Sequence, residues 1–243
     1  MKSPAETLST DDPDGQRSIL VGGMPVWYRK RGSGTPLLLL PGWGGPTDKY
    51  SALLDELAGK GYSVVMPDLP GLPGKTPPVF MTLEAWGSWV DELAEKVCGR
   101  PFILVAHSLS ARIALEYLEG RGSACLCAIS IGPWLVSSPV KAALSRLLAR
   151  LIRFLCPVIY PDMKWVLDGN AWKTALRLLS AVGRRPLGPC LVVFGERDPA
   201  RLLFGGWKHI GCEAQVFEWG HSPQITATSE LADTIDRFVI KNL

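Results

Sequence analysis

The feature that most narrows what this chain can fold into is a regular exchange of two patterns. Continuous apolar runs of strand length alternate with amphipathic stretches of helix length. Leu37–Leu40, held between Pro36 and Pro41, has no polar alternation. That is the mark of a strand covered on both faces. Tyr62–Met66, Phe102–Ala106, Cys125–Ile131, Leu191–Phe194 and Gln215–Phe217 also read as strands. Helical spacing falls on Tyr50–Lys60, Leu83–Val97 and Leu109–Glu119. A closing helix is expected over Ser229–Val239, capped from Thr228 or Ser229. Upstream, Ser18–Val21 and Pro25–Tyr28 flank Gly22-Gly23, a hairpin signal. The alternation predicts an α/β class fold: a mostly parallel eight-stranded sheet with helices on both faces.

One stretch breaks the rhythm. Residues 133–189 hold no convincing strand but two helical patterns, Pro139–Leu155 and Asp168–Val182. Helices inserted after the sixth strand read as a lid. The expected organisation is a flexible lead-in over 1–17, a core over 18–132 and 190–243, and the lid over 133–189. The lead-in lacks the apolar centre of a secretory signal and the basic bias of a transit peptide. No run of 18 apolar residues occurs, so no spanning helix is expected. With 47% hydrophobic and 20% charged residues, the 243-residue chain is not a disordered one and can bury its own core. Six cysteines (Cys98, Cys125, Cys127, Cys156, Cys190 and Cys212) are scattered without a CxxC pair. They read as buried, reduced thiols of a cytoplasmic protein. A net charge of +3 is too small to argue for a nucleic-acid partner.

Sheets of this kind offer ligands the C-terminal ends of their strands. Four such ends carry chemistry. Ala106-His107-Ser108-Leu109-Ser110 joins a strand to a helix, where a tight turn would lift the Ser108 hydroxyl above the sheet at the helix's positive end. Pro41-Gly42-Trp43-Gly44-Gly45 is a glycine-rich turn, which lets the backbone approach a ligand closely. The N–H groups of Trp43 and Leu109 are candidates for a shared oxyanion hole. Gly195-Glu196-Arg197-Asp198 places an acid that can orient an imidazole. Gly220-His221-Ser222 supplies the imidazole; of the three histidines only His221 follows that acid at a strand end. His107 reads as packing beside the turn, His209 as solvent-facing, and Asp68 as a structural turn residue.

The order Ser108, Asp198, His221 at these strand ends resembles that of the α/β-hydrolase fold superfamily, over about residues 18–240. Pro67-Asp68-Leu69-Pro70-Gly71 resembles a turn many members carry. The resemblance implies a Ser–His–Asp mechanism: Ser108 attacks a carbonyl, His221 relays its proton, and Asp198 holds the imidazole. It implies a serine hydrolase acting on an ester, thioester or lactone with an apolar acyl part, with no metal or organic cofactor. Three positions depart from the family pattern. Ala106 and Ser110 stand where elbow glycines are usual, and Pro41 stands where a histidine is usual. The departures keep two rivals open: lyase or cyclase chemistry on the same fold, and a ligand-binding member without turnover. Ser108 at the elbow counts against dehalogenase and epoxide hydrolase activities, whose members use an aspartate there.

Charge is distributed unevenly. Residues 133–189 carry nine basic and two acidic side chains, +7, leaving −4 for the rest. Arg146, Arg150 and Arg153 form one stripe, expected to face solvent, while leucines are expected to roof a pocket beneath. Trp43, Trp134, Leu148 and Trp172 are candidate pocket residues for an apolar substrate. The basic stripe offers a site for an anionic or carrier-bound acyl substrate, or contact with an anionic membrane surface. A monomer or weak homodimer is expected.

Overall fold

In the computed structural model, the apolar runs become the interior of one eight-stranded sheet. The structure describes residues 16–42, 47–70, 76–77, 79–120, 124–136, 138–159, 168–180, 186, 188–203 and 211–243. Strands β1 (Arg17–Val21), β2 (Met24–Arg31), β3 (Thr35–Leu40), β4 (Tyr62–Pro67), β5 (Phe102–His107), β6 (Cys125–Ile131), β7 (Cys190–Gly195) and β8 (Glu213–Phe217) lie in the order β1-β2-β4-β3-β5-β6-β7-β8. The β1–β2 and β2–β4 pairs are antiparallel and all others parallel. Gly22 and Gly23 close the first hairpin at φ 59° and 74°, the left-handed values a two-residue turn of this kind demands.

The central strands β3 to β7 are buried on both faces because they are apolar at successive positions. Leu38 and Leu40 point into one core, with Leu104, Val192 and Phe194. Leu37 and Leu39 point into the other, with Ile103, Val105, Leu191 and Val193. The first core is covered by α2 (Leu83–Leu93) and α3 (Ser110–Gly120), through Trp86, Val90, Ile113 and Tyr117. The second is covered by α1 (Ser51–Gly59) and α8 (Thr228–Asn242), through Leu53, Leu57, Ile235 and Phe238. Thr82 caps α2 by accepting the N–H of Ala85 at 3.2 Å. Past Leu93 that helix widens into a π-turn over Ala94–Cys98, so the expected single helix to Val97 has two parts.

Three expectations need correction. The closing helix has no side-chain cap. A short helix, α7 (Pro223–Thr226), runs into it, and Leu231 N–H already bonds to Ala227 C=O. The Thr228 hydroxyl donates back to Gln224 C=O, and Ser229 donates to Glu56, so neither is left to cap.

The second correction concerns the insertion between β6 and β7, which contains α4 (Pro139–Ile159) and α5 (Gly169–Ser180). Arg146 and Arg150 are exposed as expected, but Arg153 is half-buried over the Trp172 ring, and the leucines are not all beneath. Among the described side chains of α4 the buried ones are small, Ala142, Ser145 and Ala149, while Val140, Leu144 and Leu147 face outward. Small residues let α4 lie close to α5, and the Ser145 hydroxyl donates to Leu179 C=O at 3.1 Å.

The third concerns the thiols. Cys190 and Cys212 form a disulfide, whereas Cys98, Cys125 and Cys127 are free. Parallel register explains it: Leu191 pairs with Glu213, so the residues preceding them meet, with Cα atoms 4.9 Å apart. With this disulfide the cysteines no longer point to a cytoplasmic location, where disulfides are rare. Among the described residues no helix is long and apolar enough to cross a membrane.

The disulfide closes a loop of 22 residues in sequence. Cys212→Ser is expected to cost about 3 kcal/mol of unfolding free energy on chain-entropy grounds. Urea unfolding with and without reductant checks this: the reductant should lower the wild-type midpoint and leave the variant's unchanged.

Candidate active site

The strand order reverses at β3, which lies between β4 and β5. Crevices of α/β sheets open at such a reversal. Leu40 pairs with Ala106, so the turn after β3 emerges beside the turn after β5. Ile131 pairs with both His107 and Val193, and Gly195 pairs with Phe217. Residues of the β5, β7 and β8 turns, far apart in sequence, therefore meet on one rim.

Ser108 sits on the β5–α3 turn at φ 57°, the only non-glycine residue with positive φ among those described. A side chain costs energy in that region. The surroundings hold it there: Ser108 N–H donates to Ile131 C=O at 2.7 Å, and Ala111 N–H returns to Ser108 C=O at 3.2 Å. Leu109 N–H lies at the entry to α3, among the N–H groups a helix leaves without an internal partner. Ser110, where a glycine is usual, is fully buried and its hydroxyl donates to Pro41 C=O. The added side chain thus ties the elbow to the turn after β3.

The acid and the imidazole arrive from β7 and β8. Glu196 N–H bonds to Phe217 C=O at 2.7 Å, and Arg197 N–H to Trp219 C=O at 3.1 Å, which clamps the two turns together. Asp198 is 1% exposed. Its Oδ1 accepts Ala200 N–H at 2.8 Å at the start of α6 (Pro199–Leu203), and also His221 Nδ1–H at 2.9 Å. Asp198 is therefore helix cap and imidazole partner at once. Because a carboxylate only accepts, the proton of neutral His221 lies on Nδ1. Its Nε2 is left to accept from the Ser108 hydroxyl, at 2.9 Å.

Further groups at the site were not legible as such from sequence. Gly132 follows β6 at φ 51°, and a Cβ there would come within 2.6 Å of Asp198 Oδ2 and 3.2 Å of His221 Nδ1. A residue with a side chain would push the pair apart. Tyr50 is buried, and its oxygen accepts Gly42 N–H at 2.6 Å. The Tyr50 hydroxyl then donates to His107 Nδ1 at 2.6 Å, and His107 Nε2–H donates to His221 C=O at 2.8 Å. The carbonyl can only accept, so the tautomer and the direction of the chain follow. His107 does pack beside the elbow as expected, and it also joins the turn after β3 to the turn bearing His221. Burial, with His221 beside it, pushes its pKa down to about 3. Burial likewise raises that of Tyr50. Neither group carries charge at neutral pH.

The other sequence candidates are distributed unevenly. The Trp134 ring stands edge-on to His221, with centroids 6.2 Å apart. Trp172 lies between α4 and α5 with Ala149, Leu176 and Leu179, under the Arg153 guanidinium. Trp43 and His209 lie outside the described residues, as does the side chain of Leu148 on α4. Asp68 is buried after β4, its N–H bonded to Trp27 C=O at 2.7 Å, as befits a turn residue.

The chain belongs to the α/β hydrolase family, whose sequence profile matches residues 37–234. No curated protein matches it. Among solved structures it is similar to a thermophilic esterase from Thermogutta terrifontis, at 17% identity and TM-score 0.69, over 98% of this chain and 99% of that one. It is similar to the enol-lactonase of Burkholderia xenovorans, at 17% and 0.67, over 92% and 99%. A thioesterase domain from the curacin biosynthetic pathway follows the same fold, at 16% and 0.63, over 90% and 98%.

A buried neutral His107 makes stability depend on pH. Its folded pKa of about 3 lies below the ordinary 6.5, so the unfolded chain binds the extra proton in between. Stability is retained above about 6.5 and falls as pH drops toward 3, at up to about 1.4 kcal/mol per pH unit from this group. Chemical denaturation at pH 7, 5.5 and 4.5 should show a shallower acid slope for His107→Asn than for wild type. Equal slopes would contradict it.

Proposed function

We propose that the protein is a serine hydrolase that opens an ester, thioester or lactone through an acyl-enzyme on Ser108. The observation that carries this reading is the continuous chain Asp198–His221–Ser108, with 2.9 Å at each link. His221 Nε2 accepts the Ser108 proton as Oγ attacks the carbonyl carbon. The imidazolium is stabilised by Asp198, which stays ionised. The tetrahedral oxyanion meets Leu109 N–H at the start of α3, with Trp43 N–H as the second donor. Collapse expels the alcohol, thiol or enol, which takes the proton from His221. Water then enters, gives a proton to His221, and releases the acid and free Ser108 by the reverse route. An oxyanion donor of this kind contributes on the order of 3 kcal/mol to the barrier.

Support for an apolar acyl part comes from Trp134 beside His221. The similar solved structures named above act on ester, thioester and enol-lactone bonds by their descriptions, all acyl transfers to water. The elbow departures are accommodated: Ala106 and Ser110 are both fully buried, and Ser110 is anchored to Pro41.

A fluorophosphonate probe followed by peptide mass spectrometry tests the reading. Rapid labelling of Ser108 is expected, abolished in Ser108→Ala and slowed by about 10³-fold or more in His221→Ala. Asp198→Asn should slow hydrolysis of a short-chain thioester and an aryl ester by about 10³- to 10⁴-fold. A folded protein whose Ser108 resists the probe would refute the acyl-enzyme. Turnover that survives Ser108→Ala but not His221→Ala would move the chemistry to a lyase or cyclase.

A further inference from the structure

The outward face of α4 carries what a water-facing helix usually hides. Val140, Leu144 and Leu147 expose 79%, 64% and 57% of their surface. Their spacing of i, i+4 and i+7 makes them one stripe along the helix. Cations border the stripe on both sides: Lys141 along one edge, Arg146 and Arg150 along the other, all exposed. Beside the Arg146 edge, an open groove of about 300 Å³ runs between α4 and α5. It is lined by Phe80, Arg146, Lys173, Leu176 and Arg177. Of the eight exposed large hydrophobics among the described residues, four (Phe80 and the three of the stripe) gather here, which sets the face apart from scattered surface residues.

We propose that this face docks on an anionic phospholipid surface. The aliphatic stripe enters the acyl boundary, and Lys141, Arg146, Arg150 and Lys173 meet the phosphates above it. The layering is that of an interfacial helix: apolar side chains in the middle, cations at the level of the headgroups. Charge selects the occupant. α4 and α5 contain no acidic residue at all. A second copy would set two such faces together, cation against cation. An acidic protein would satisfy the cations but would have to reproduce the layered order that a bilayer has by construction. None of these side chains belongs to the Ser108–His221–Asp198 chain, so the proposal stands or falls apart from the catalytic reading.

The test is co-sedimentation of the full chain with vesicles. Pure phosphatidylcholine is compared with phosphatidylcholine carrying about 30% phosphatidylglycerol, enough anionic lipid to draw basic segments. Binding to the anionic vesicles is expected to be at least about tenfold tighter than to neutral ones, and to weaken as salt screens the cations. Leu144→Ser with Leu147→Ser should weaken it by about tenfold or more, and Arg146→Gln or Arg150→Gln by about fivefold each. All four positions are exposed, so the variants should keep the wild-type circular dichroism and melting temperature, and Ser108→Ala should bind like wild type. No binding to anionic vesicles at low salt would overturn the proposal. So would unaltered binding by the double leucine variant. So would a stable homodimer that the leucine variant dissociates. Capture of an acidic acyl-carrier protein without vesicle binding would overturn it equally and assign the face to that partner.

Discussion

The pairing of β3 with β5 is the contact on which the rest depends. It sets Leu40 against Ala106 and so brings the turn after β3 alongside the elbow. Every later arrangement at the rim uses that alignment. Ser108 can be held at positive φ because β6 supplies Ile131 C=O on one side and Pro41 C=O anchors Ser110 on the other. Two neighbouring chain segments, the end of β6 and the turn after β3, thus hold the one strained residue in place. Parallel strands buried on both faces make that possible, since neither β3 nor β5 can slide without exposing leucines to water.

A second layer of the same logic is polar. Tyr50 and His107 form a one-way chain of hydrogen bonds from Gly42 N–H to His221 C=O. It runs through two side chains, Tyr50 and His107, that are themselves buried. Both side chains are neutral, which a buried chain requires, and each satisfies the next. The loop expected to hold an oxyanion and the loop bearing the imidazole are thus coupled through the residue that precedes the nucleophile. Gly132 completes the arrangement by leaving space: with no side chain there, Asp198 and His221 can lie against the end of β6.

The insertion follows different rules from the core. Among its described side chains, Ala149 of α4 meets Trp172, Leu176 and Leu179 of α5 and Leu178 enters the core, while Val140, Leu144, Leu147, Arg146 and Arg150 share the outer surface. Among the described side chains of α4, the buried ones (Ala142, Ser145 and Ala149) and the exposed aliphatic ones (Val140, Leu144 and Leu147) lie on opposite faces. The basic character confined to residues 133–189, against a net acidic remainder, gives this part of the molecule its own electrostatic identity.

Most of the core was legible because burial on both faces leaves an unmistakable run, as in Leu37–Leu40, and because reactive residues follow the ends of such runs. The chain alone therefore determined the strands, the helices between them, and Ser108, Asp198 and His221 as candidates in that order. It did not show Tyr50 or Gly132, which bear no pattern and matter only for what they touch. It misassigned Leu144 and Leu147 of α4, because an amphipathic stripe has the same period whichever side meets the protein. It missed the Cys190–Cys212 bond for a related reason: the two thiols stand 22 residues apart in sequence, and only parallel register sets them side by side. Local patterning encodes which side chains are apolar and how they repeat. Which of them meet is decided by how the strands order themselves, a property of the closed sheet and not of any segment within it.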